Sequence, residues 1–98
     1  MSLEDVDLEA GILSDLQKLA AKFHLKELII FGSRADSDVD LAVKGYGSPM
    51  VRADFEEAVK NLPVLLMFDI VDYDSILVSD VLRKEIDEKG ILLYQNTF

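Results

Sequence analysis

The sequence predicts an α+β domain, a small mixed sheet of three to four strands covered by three helices. Three observations predict it. Apolar residues recur at helical spacing in three separate stretches, whereas other stretches are short, nearly continuous apolar runs of strand length. These segments alternate in the order α-β-β-α-β-α-β. The second helical stretch lies between two strands, which predicts a parallel pair with a right-handed crossover.

Leu8, Ile12, Leu16, Leu19, Ala20 and Phe23 form one apolar stripe, predicting a first helix over residues 5–23, with Asp5 or Asp7 as its cap. Residues 25–31 read as a buried strand and residues 39–43 as a second. The short connection between them predicts an antiparallel pair. Lys44-Gly45-Tyr46-Gly47 is a flexible connection, and Ser48-Pro49 is a capping residue followed by proline at the first helical position. Val51, Phe55, Ala58, Val59 and Leu62 give the second helix its stripe, and Pro63 ends it. Residues 64–71 are a third, strongly apolar strand. Val78, Val81, Leu82 and Ile86 mark a third helix, closed by Gly90 at its C′ position. Residues 91–94 are a short fourth strand.

Ninety-eight residues, half of them hydrophobic, make one domain spanning 1–98 with enough chain for a single core. No apolar run approaches the ~20 residues of a membrane span. The N-terminus is acidic and lacks the basic-then-apolar pattern of a signal peptide, and cysteine is absent. A cytoplasmic location is expected. The net charge of −9 argues against direct nucleic-acid binding, which needs Lys and Arg to neutralise phosphate. The charge serves solubility, or it presents an acidic face to a basic protein partner.

The most informative stretch is Gly32-Ser33-Arg34-Ala35-Asp36-Ser37-Asp38-Val39-Asp40-Leu41. Side chains alternate along a strand, so Asp38 and Asp40 point the same way. Adjacent carboxylates repel unless a cation lies between them. Mg²⁺ suits carboxylate oxygens and keeps positions open for phosphate. The Gly-Ser turn upstream can offer N–H groups and a hydroxyl to that phosphate. Asp69 interrupts the third apolar strand, and a charge in such a run is costly unless paired or ligated. If the third strand lies beside the second, Asp69 joins Asp38 and Asp40 in a three-carboxylate site for one or two metals, or acts as a general base. The alternative places Asp69 at the strand's exposed end beside Asp72 and Asp74.

Other polar and aromatic residues carry blander readings. His24 is a helix-end or surface residue, because no second His or Cys accompanies it. Tyr46 is a loop aromatic or a platform for a base. Asp72-Tyr73-Asp74 reads as the cap of the third helix.

Gly32-Ser33, then Ser37-Asp38-Val39-Asp40-Leu41, then Asp69 on a later strand resembles the minimal nucleotidyltransferases of the DNA polymerase β-like superfamily. The likeness covers nearly the whole chain, including the element order and the Gly-then-strand ending at residues 90–94. It implies the polymerase β-like nucleotidyltransferase fold, with Gly32, Ser33 and Arg34 binding nucleotide phosphates and with Asp38, Asp40 and Asp69 as catalytic metal ligands. The implied reaction is Mg²⁺-dependent transfer of AMP from ATP to a hydroxyl. The implied partner is a HEPN-domain toxin, this chain being the antitoxin and the acceptor a hydroxyl of the partner. A non-catalytic module of the same fold, neutralising the toxin by occlusion, is the alternative. A small-molecule-modifying transferase would need a second substrate-binding domain, or a homo-oligomer to supply one. The chain departs from the family in one place. Only four residues, 34–37, separate Ser33 from Asp38, whereas relatives carry a longer loop. Either the loop is short in this protein or a segment is absent from the chain, and an intact mass distinguishes the two.

Overall fold

The elements follow the predicted order: α1 (Ala10–Lys22), β1 (Glu27–Phe31), β2 (Asp38–Lys44), α2 (Pro49–Lys60), β3 (Met67–Asp72), α3 (Asp80–Lys89) and β4 (Ile91–Gln95). This computed structural model describes residues 10–31, 38–64, 67–75 and 77–96, and for Ala10 and Asp38 the backbone alone. Asp5 and Asp7, expected to cap the first helix, lie outside the described residues. The strands form one mixed sheet in the order β3-β2-β1-β4. β1 and β2 are antiparallel, and β2 and β3, joined through α2, are parallel. β4 returns antiparallel to β1, with a register shift between Leu28 and Ile29.

Apolar side chains line both faces of the sheet. On one face Leu16 and Ala20 of α1 and Phe55 and Val59 of α2 pack on Leu28, Ile30, Val39, Leu41, Val43, Phe68 and Leu93. On the other, Ile86 of α3 packs with Ile29, Phe31 and Ala42, flanked by Leu82, Val71 and Tyr73. The continuous run Leu28-Ile29-Ile30-Phe31 is thereby explained, since an interior strand covered on both faces has no polar side to show. β3 lies at the sheet edge and alternates instead: Met67 and Asp69 are exposed and Phe68 is buried.

Local chemistry fixes the helix ends. The Ser48 hydroxyl accepts the Val51 N–H at 3.2 Å, with Pro49 opening α2. That helix ends at Lys60, with Asn61 as its cap, three residues before Pro63. α3 is capped by Ser79, whose hydroxyl accepts the Leu82 N–H at 3.1 Å, and not by Asp72-Tyr73-Asp74. Those three residues close β3, several residues short of the helix. Asp74 Oδ2 accepts the Gly45 N–H at 2.8 Å, and Asp72 Oδ1 accepts the Asp74 N–H at 3.2 Å. Gly90 has φ −70°, so it is not the left-handed C′ residue expected. It is needed because a Cβ there would strike the Ile86 carbonyl oxygen and the Ile29 side chain. Among the described residues the left-handed non-glycine residue is His24, φ +55°, exposed just beyond α1, where the Leu25 N–H reaches back to the Ala20 carbonyl. Tyr46 is also corrected. It is 7% exposed and joins the core edge-on to Phe55, instead of standing free in the loop. Among the described residues no helix is long and apolar enough to cross a membrane.

Candidate functional site

The site is built by strand register. β2 and β3 pair in parallel with Asp38 opposite Met67 and Asp40 opposite Asp69, while Asp40 faces Phe31 on the β1 side. Partners at one register position of neighbouring strands lie on the same face, with strands about 5 Å apart. Asp40 and Asp69 therefore stand together. Asp38 precedes Asp40 by two residues on β2. The expectation that β3 would flank β2 and bring Asp69 to the acid pair is met at the level of backbone register.

Among the described residues, the helices leave this place uncovered. α3 packs chiefly over β1, through Ile86 against Ile29 and Phe31, and reaches β2 at Ala42. Asp40 is half-buried and Asp69 is exposed. The reading of Asp69 as a buried charge is thus corrected. Edge strand β3 extends beyond the helix, and Asp69 lies exposed on it. Met67, 69% exposed, shares the face and flanks the acids. Sequence reasoning placed it inside a buried strand. The signal that could have exposed it is the alternation Met67-x-Asp69, which puts both on one side.

Oxygen donors at adjacent register positions on an accessible face fit a hard divalent cation. Among the described residues no group of three or more His, Cys, Asp or Glu stands close enough to hold a metal ion, and the Asp38 side chain is not among them. Gly32, Ser33 and Arg34 lie outside the described residues. Their place in the chain is immediately after Phe31, the register partner of Asp40.

An α+β domain with a β3-β2-β1-β4 mixed sheet and acids paired across β2 and β3 defines a recognisable fold. A chain in the crystal structure of the toxin–antitoxin MntA-HepT superposes with TM-score 0.67 and 22% identity, over 90% of this chain and 74% of that one. A crystal structure from Shewanella oneidensis matches with TM-score 0.67 and 20% identity, over 91% of this chain and 74% of its own. No protein-family model and no curated protein matches the sequence. At such identities the shared property is the fold. This chain shares its α+β fold with both of these chains.

Proposed function

We propose that this protein is a Mg²⁺-dependent nucleotidyltransferase that transfers AMP from ATP to a hydroxyl of a protein partner, and that it is the antitoxin of a HEPN/MNT pair. The observation that carries this reading is the register of Asp40 with Asp69 on the open sheet face, with Asp38 two residues before Asp40. The fold it shares with a chain of the toxin–antitoxin MntA-HepT supports the choice of partner. So does the net charge of −9, which suits a basic surface. A cytoplasmic setting belongs to the same reading.

Asp38, Asp40 and Asp69 would hold Mg²⁺, which when bound neutralises phosphate charge and acidifies a nearby hydroxyl. Gly32 and Ser33 would cradle the phosphates, and Arg34 would add a positive charge. Asp69 would complete that metal site or, alternatively, take the acceptor's proton as a general base. The acceptor oxygen bonds to the α-phosphorus, the bond from that phosphorus to the bridging oxygen breaks, and pyrophosphate leaves. The protein's part is positioning and charge neutralisation.

Incubation with labelled ATP, Mg²⁺ and the product of the adjacent gene tests the proposal. Label should pass to the partner with wild type and be lost with Asp38→Asn/Asp40→Asn. The four-residue link between Ser33 and Asp38 favours a second reading, occlusion without catalysis. Complex formation without label transfer in wild type would select it.

A further inference from the structure

The pole of the molecule opposite the acids has a site of its own. β2 and β3 run parallel and end there. The chain leaves β2 for α2 on one face of the sheet and leaves β3 for α3 on the other. A crevice outside the carboxyl ends of parallel strands, where successive helices take opposite faces, is the general ligand position of open α/β sheets. A cleft of about 290 Å³ opens at this point, lined by Gly45, Tyr46, Ser48, Arg52, Asp72 and Asp74, among others. It is about 13 Å along β2 from Asp40, at a strand rise near 3.3 Å per residue.

Two features distinguish it from an ordinary turn. The Tyr46 hydroxyl is buried and has no hydrogen-bond partner among the described residues, a costly state for a side chain 7% exposed. Its surroundings are ionic: Glu56, Arg52 and Asp72 all act on it. The lining carries two carboxylates and one guanidinium, and that guanidinium is already engaged. Arg52 Nε donates to Glu56 Oε2 at 3.0 Å, whereas its approach to Asp72 Oδ2, at 3.7 Å, is longer than a hydrogen bond. Asp72 Oδ1 accepts the Asp74 N–H but Oδ2 is only loosely held, and the cleft is net negative. Burial and the neighbouring Glu56 raise the Tyr46 pKa, so the hydroxyl stays neutral and can accept a proton donor.

We propose that this cleft binds a primary alkylammonium group, which donates to the carboxylates of Asp72 and Asp74 and to the Tyr46 hydroxyl, displacing Arg52 from its loose contact with Asp72. The group is carried either by a free amine or by a lysine side chain of a protein.

Amide NMR titration of the full chain tests this, with n-butylammonium in one arm, a lysine-containing peptide in the other, and NaCl at matched ionic strength as control. Saturable shifts at the Gly45 and Gly47 amides in either arm, weakened about tenfold by Asp72→Asn or Tyr46→Phe, support the site. The arm that binds more tightly identifies the source. Asp74→Asn keeps an oxygen for the Gly45 N–H while removing the charge, so it retains the fold and should also weaken binding. Shifts reproduced by NaCl, absent in both arms, or unchanged in the three variants would overturn the proposal.

Discussion

Asp40 and Asp69 show how one register decides chemistry. Carboxylates directly opposite on neighbouring strands repel, so the fold bears a cost that a bound cation would remove. Asp69→Asn should therefore raise stability in Mg²⁺-free buffer by about 0.5 kcal/mol, read by urea denaturation. If the proposed site binds Mg²⁺, the ion should stabilise the wild type, and Asp69→Asn should abolish that gain. Tyr46 makes a second prediction. Its pKa is raised in the folded state above the usual 10.0, so its contribution to stability is full below pH 10 and is lost as pH rises beyond that. Tyr46→Phe should flatten the alkaline fall in stability measured between pH 9 and 11, on the order of this ordinary tyrosine range. At neutral pH it should raise stability, by about 1–3 kcal/mol, since the lost hydroxyl is buried with no partner among the described residues. Asp38-x-Asp40 was legible because period-two alternation alone puts both acids on one face. The exposure of Asp69 and the burial of Tyr46 were not legible. Both depend on which helix covers which part of the sheet, and no local pattern encodes that.

Elements were more legible than their ends. The apolar stripes located all three helices, and the apolar runs located the strands, because burial imposes periods of 3.6 and 2 on the sequence. Their boundaries moved where side-chain chemistry competed. Ser79, not the acids of residues 72–74, starts α3 because only it lies within one turn of the Leu82 N–H. Glycine was the least transparent signal. Gly90 was expected to provide a left-handed cap, yet its φ is −70° and its service is to leave room for Ile86 and Ile29. Gly90→Ala should thus cost stability, on the order of 1–3 kcal/mol for an overpacked core position. Gly11→Ala should do the opposite. It lies in α1 with nothing near its Cβ position, and alanine gains about 0.5–1 kcal/mol in a helix. Thermal melts of the two variants should shift in opposite directions. His24, left-handed without being glycine, gives a third change at this scale. His24→Gly should stabilise by up to about 1 kcal/mol, measured in the same way.

At the scale of the molecule, the sheet separates two poles. The acid end gathers the starts of β2 and β3 with the end of β1. The other end gathers the loops that lead into α2 and α3. A net charge of −9 surrounds both. Association with a basic partner should accordingly weaken as salt rises past about 0.15 M, where charges more than ~8 Å apart are screened. Binding measured across a salt series checks this, and an affinity indifferent to salt would point to an apolar interface instead. The most direct test of the central claim is the fate of the α-phosphorus. The partner protein is incubated with this chain, Mg²⁺ and ATP labelled at either the α- or the γ-phosphate. Nucleotidyl transfer predicts label on the partner from α-labelled ATP alone, dependent on Asp38 and Asp40. Label from γ-phosphate, or α-label that persists when both aspartates are replaced by asparagine, would contradict it.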